Sequence, residues 1–127
     1  MVDYLQDSDI GYPSVPDVLK AQFESGKPWD LKDGDVLQDP DTRTAVKDSL
    51  LGNIFTISTH LIEKEVVSVK DLELGICTSL AWPQGPFSMM NALGMEESAR
   101  LVSLVVEKGY YRMPQKFAGN VPEPWEI

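Results

Sequence analysis

Apolar residues recur at helical spacing across residues 41–64. Val46, Leu50, Ile54, Ile57 and Leu61 follow one line, and Leu51, Phe55 and Ile62 widen it. A period near 3.6 residues puts such positions on one side of a long helix. A stripe this wide predicts a main helix mostly surrounded by protein, with Asp39 or Asp41 able to cap it. Gly52 costs that helix roughly 1 kcal/mol of propensity against Ala, which marks it as a place for a close helix crossing. Thr56, Ser58 and Thr59 favour a helix poorly, so a strand reading stays open as the weaker one.

Shorter helices flank the main one. In "PSVPDVLKAQFESG", Pro16 suits a first turn after Ser14 or Val15, and Asp17 suits the positive helix end. Val18, Leu19 and Phe23 share one side, and Gly26 stops the helix. Residues 1–12 have no clear period and read as a loose lead-in. "KPWDLKDGDVLQDPD" is rich in turn residues, with a turn signal at Asp33-Gly34, and Trp29 is expected to tuck under that loop. Ser68 and Asp71 form a capping-box pattern that opens a helix through roughly residue 80. Pro86 starts the next helix and Gly94 ends it; a last helix carries Glu96 and Glu97 early, Lys108 late and Gly109 as its stop. The tail "VPEPWEI" holds two prolines and cannot be regular. The expected fold is all-α, with about five helices.

The chain has the length of about one domain, enough to bury roughly two-thirds of its unfolded surface. Twenty acidic against eleven basic residues give a net charge of −9. That balance opposes a nucleic-acid surface and weighs against this chain alone gripping a polyphosphate such as coenzyme A. Cys77 is the only cysteine, which rules out an internal disulfide and suits a reducing cytoplasm. The first ten residues carry no signal-peptide apolar run, and no apolar stretch is long enough to span a bilayer.

The search for chemistry returns no complete active site. The sequence has no G-x-G-x-x-G and no G-x-x-x-x-G-K-[ST], so it signals no phosphate loop. It has no Cys/His cluster, so no metal site is expected. Ser58 and His60 stand two apart on a helix and do not face each other. His60 therefore reads as a flank residue and Cys77 as a small core residue. Glu63 with Glu65 and Glu96 with Glu97 read as a solvated helix end and a first turn. Tyr110 and Tyr111 read as packing at a helix end. Met89 and Met90 suit an adaptable acyl pocket but read first as core.

Two stretches carry a family resemblance. Residues 48–95, "DSLLGNIFTISTHLIEKEVVSVKDLELGICTSLAWPQGPFSMMNALGM", resemble the C-terminal helical domain of the 3-hydroxyacyl-CoA dehydrogenases. The counterparts of that domain's elements are Asp48-Ser49-Leu50-Leu51 at the long helix and Ser68 to Glu73 at a helix start. The corner Trp82-Pro83-Gln84-Gly85-Pro86-Phe87 and the helix end at Gly94 follow. The similarity covers roughly residues 42–108, and the W-P-x-G-P-F corner is its most specific part. "PSVPDVLKAQFESGKPWDLKDG" is similar to the segment that closes one copy of that domain, and "VPEPWEI" resembles the junction into a crotonase-fold hydratase domain.

The resemblance implies a 6-phosphogluconate-dehydrogenase-C-terminal-like helical domain at residues 41–120. Residues 1–40 would end a preceding helical repeat and linker, and 121–127 would link to a following domain. It implies a substrate-cleft and dimerisation domain of a fatty-acid β-oxidation oxidoreductase in lipid metabolism, inactive as an isolated chain. NAD would sit on a separate dinucleotide-binding domain, which also holds the family's catalytic His–Glu pair. The implied partners are that domain, a crotonase-fold hydratase domain, a second copy in a homodimer, and acyl-CoA in the full enzyme; nucleic acid and membrane are not among them. No catalytic residue and no metal is expected in this chain, and the other reading is a free-standing helical interaction module. Asp48 matches a family Asn at the active site and is the substrate-binding candidate, though a carboxylate cannot donate the hydrogen bonds of an amide. Trp82, Pro83, Gly85, Pro86 and Phe87 form a structural corner, with Gly85 expected to hold a conformation closed to β-branched residues. Self-association is expected through the main helix and through Leu101, Val102, Leu104, Val105 and Val106 of the last one.

Overall fold

The computed structural model describes residues 16–29 and 39–127, and among them every regular element is a helix. The lead-in 1–12, Ser14, Val15 and the Asp33-Gly34 turn lie outside the described residues. The chain divides into two compact units, Met1–Pro40 and Asp41–Ile127. In the first unit, α1 spans Asp17–Ser25 with Pro16 at the cap position, just before the helix. Gly26 ends it in the left-handed region, φ 61°, where glycine carries no Cβ penalty. No residue of α1 is buried, and Trp29 is 50% exposed; the loop expected to cover it lies outside the described residues.

The second unit holds α2 (Pro40–Glu63), α3 (Val69–Ser79), α4 (Pro86–Leu93), α5 (Met95–Glu107) and a 3-10 turn at Gln115–Phe117. α2 closes in a Schellman arrangement: Val66 N–H donates to the Leu61 carbonyl and Glu65 N–H to that of Ile62. Glu65 occupies the left-handed position, φ 54°, where glycine is usual. Ser68 caps α3 by accepting from Asp71 N–H at 3.1 Å, while its hydroxyl donates to Asp71 Oδ2 at 2.7 Å. Gly94, φ 91°, serves as both the end of α4 and the cap of α5. Ser98 donates back to the carbonyls of Gly94 and Met90 and locks that junction.

The core joins Phe55 of α2, Phe87 and Met90 of α4, Met95, Leu101 and Val102 of α5, and Phe117. Here the structure corrects the sequence reading of α2. Val46, Leu50 and Ile57 are exposed, at 49%, 60% and 43%. The buried face is instead Gly52, Phe55, Thr56, Ser58 and Thr59. Gly52 is the physical reason. A Cβ there would strike the Leu101 carbonyl and Val105 Cγ2, so α5 crosses α2 against bare backbone. Thr56 and Thr59 flank the crossing, and their hydroxyls donate to the Gly52 and Phe55 carbonyls at 2.7 and 2.8 Å. Satisfied in this way, small polar residues can line a dry contact. α5 buries Leu101, Val102 and Val105 and half-buries Leu104 and Val106, so the surplus apolar surface lies on α2 and not around α5.

Candidate functional site

The corner between α3 and α4 is built around one carboxylate. Val69, Leu72, Glu73 and Ile76 share a face of α3 by their spacing. Glu73 therefore enters the interior with its apolar neighbours and is buried. It accepts from Phe87 N–H at 2.6 Å, from Ser88 N–H at 3.1 Å and from the Ser88 hydroxyl at 2.7 Å. These amides are the orphan donors of the first turn of α4, where a negative charge is also favoured by the helix dipole. The helix thus takes its cap from another helix. The sequence reading passed over Glu73 as a site residue. An acid on the apolar face of α3 was the signal that could have found it.

Gly85 lies against that carboxylate with φ −81° and ψ 176°, an extended conformation open to any residue. The expectation of a restricted backbone at Gly85 is therefore corrected: what is restricted is space. A Cβ on Gly85 would sit 2.5 to 2.6 Å from all three carboxyl atoms of Glu73. The left-handed residue of the corner is Ala81, φ 53°. Pro86 follows Gly85 as the first residue of α4 and is buried with Phe87; Trp82 is half-buried and Pro83 exposed. Every polar atom of the Glu73 carboxylate is thus engaged within the fold.

Asp48 stands elsewhere, on α2. Its Oδ2 accepts from Arg100 Nη2 at 2.6 Å, and the same guanidinium holds both carboxylate oxygens of Glu97. The hydrogen bond from Arg100 holds the Glu97 carboxyl below its usual range, and the two carboxylates raise Arg100 further above an already high value. A carboxyl depressed in this way adds stability above its unfolded range, which is lost as pH falls through the folded value. The pair is exposed, so that contribution is small. We expect Asp48→Asn to match the parent midpoint in urea unfolding within error. A clear loss would give Asp48 a larger role than holding Arg100.

A His–Glu contact is present although none was expected in this chain. His60 Nδ1 and Glu63 Oε2 are 3.6 Å apart, one turn along α2. Both groups are already committed: His60 Nε2 donates to the Arg112 carbonyl at 2.9 Å, and Glu63 Oε1 accepts from Lys116 N–H at 2.9 Å. Together they fasten the segment after α5 to α2. Met90 is fully buried, Met89 packs against the core, and Cys77 is a half-buried free thiol. In the first unit, Leu19, Phe23, Gly26 and Trp29 line a shallow depression of about 440 Å³ with Gln22 and Lys27 as its polar members. Among the described residues no group of three or more His, Cys, Asp or Glu could hold a metal ion, and no helix is long and apolar enough to cross a membrane.

α2 also presents an apolar face. At 100° per residue, Val46, Leu50 and Ile57 fall within about 40° of one another on α2. They lie opposite Phe55 and Thr59, with half-buried Ile54 and Leu61 beside them. No family model, curated protein or solved structure matches this chain.

Proposed function

We propose that this chain is the non-catalytic helical domain of an enzyme similar to the 3-hydroxyacyl-CoA dehydrogenases of fatty-acid β-oxidation, with a 6-phosphogluconate-dehydrogenase-C-terminal-like fold. Its work is to pair subunits and to complete an acyl-CoA cleft beside a dinucleotide-binding domain that carries NAD. A crotonase-fold hydratase domain is the further partner, and the single free thiol fits a cytoplasmic setting. The observation that carries the pairing role is the second face of α2. A 24-residue helix that buries Gly, Thr and Ser on one side and exposes Val46, Leu50 and Ile57 on the other has a face left over for an interface. A two-fold dimer is the commonest closed way to cover such a face.

Sedimentation equilibrium over a wide concentration range tests this reading. The parent chain is expected to dimerise, and Leu50→Asp to be monomeric with an unchanged helical circular-dichroism spectrum, because Leu50 takes no part in the core. A parent chain that stays monomeric at its highest soluble concentration would count against the pairing role. One observation favours the other reading, a free-standing helical interaction module: the Asp48 carboxylate is held by Arg100 and is not free to meet a substrate. Coding sequence for a G-x-G-x-x-G domain directly upstream, in the same reading frame, separates the two.

A further inference from the structure

Residues 121–127 form no helix, yet Trp125 reaches the core. Among the described residues, the hydrogen bonds of this stretch run through that one residue. Trp125 N–H donates to Asn91 Oδ1 at 2.8 Å, and Asn91 Nδ2 donates to the Trp125 carbonyl at 2.9 Å. A side-chain amide that pairs both backbone groups of one residue does what an adjoining strand does, and it reads backbone and not sequence. The side chain is read separately. The indole packs on Phe87 with ring centroids 4.6 Å apart and planes tilted by 53°, and Lys116 Nζ lies 4.7 Å from its centroid.

Three further features describe a ligand and not a strut. Pro122 and Pro124 restrict the approach to Trp125, which lowers the entropy lost on docking. Among the described residues, no backbone group between Ala118 and Trp125 bonds to a helix. The indole Nε1 is buried without an acceptor among the described residues, which weakens the docked state. A single backbone clamp, a single aromatic anchor and a pre-extended flank are how short linear peptides are held.

We propose that Phe87, Asn91 and Lys116 form a peptide seat for an extended, tryptophan-bearing segment. Residues 121–127 of the same chain fill it in cis, and they leave and re-enter it as a unit while the helices stay folded. The 121–127 stretch is then an internal ligand, able to exchange with the same stretch of a second copy.

Hydrogen exchange on the full chain is the first test. The Trp125 amide should exchange at least about 100-fold faster than the amides of Leu101 and Val105, because its opening is local and theirs global. Exchange at the same rate as those core amides would overturn the proposal. The second test uses the full-length Trp125→Ala chain and a labelled peptide of residues 119–127. Saturable one-to-one binding is expected, at least about ten-fold tighter than to the parent chain, whose own segment competes at high effective concentration. Replacing the peptide's tryptophan by alanine, or adding Asn91→Ala to the chain, should abolish it. A folded Trp125→Ala chain that binds no peptide would overturn the seat. A Trp125→Ala chain that loses its helices would overturn separability.

Discussion

Gly85→Ala should cost the fold about 3 kcal/mol, and Gly85→Val little more. Overpacking a dry site by one methyl costs roughly 1–3 kcal/mol by itself. Relief requires the Glu73 carboxylate to retreat from a Cβ that would lie 2.5 to 2.6 Å from it. That retreat breaks three charge-assisted hydrogen bonds to Phe87 and Ser88 and strands a buried N–H. Leaving one such donor unsatisfied costs about 1–3 kcal/mol. These terms overlap, so their sum overstates the effect. The cause can be isolated by a double-mutant cycle in urea. In a Glu73→Ala background the added methyl no longer meets the carboxyl atoms nearest to it, and Gly85→Ala should become nearly neutral. Equal costs in the two backgrounds would show that the carboxylate is not what excludes a side chain at this position.

That corner also shows how much of the fold could be read from the residues. Helix starts and stops were legible because they are local chemistry: Ser68 before Asp71, Gly26, Gly94 and Gly109 after their helices. The left-handed positions at Glu65 and Ala81 were not legible, because neither residue type announces one. The identity of the Glu73 cap was hidden for another reason. Its partners lie fourteen and fifteen residues away, and only the turn of the chain brings them together. Asp48 stands out only through the family resemblance, and the structure puts its carboxylate on Arg100, fifty-two residues further along. For Trp125, the two prolines before it gave an irregular segment but said nothing of Asn91 or Phe87. Apolar periodicity was right about the existence of α2 and misleading about its orientation. Hydrophobicity marks faces that prefer to be covered, and the stripe of Val46, Leu50 and Ile57 is one that the fold leaves exposed.

Gly52→Ala should therefore act in opposite directions in a peptide and in the protein. In an isolated peptide of residues 40–63, where α5 is absent, alanine gains about 1 kcal/mol of helix propensity, and helicity should rise. In the intact chain the same methyl meets the Leu101 carbonyl and Val105 Cγ2. A side chain can rotate away, but a carbonyl moves only with its helix, so α5 must lift along the whole crossing. Lifting it opens gaps around Phe55, Leu101 and Val105, which are among the most buried side chains of the unit. It also draws Thr56 and Thr59 away from a packed environment, though their hydroxyls stay bonded to the α2 backbone. Core changes of this kind cost about 2–5 kcal/mol, more than the propensity gained. The expected result is a net loss of about 2–3 kcal/mol in urea unfolding for Gly52→Ala and a larger loss for Gly52→Val. The exposed face gives the control. Leu50→Ala, two residues away on the same helix, should change monomer stability by less than about 0.5 kcal/mol, the usual bound for exposed positions. If Gly52→Ala stabilised the protein as it does the peptide, α5 would not cross α2 at this glycine. The buried face of α2 would then have to be the apolar stripe of Val46, Leu50 and Ile57 after all.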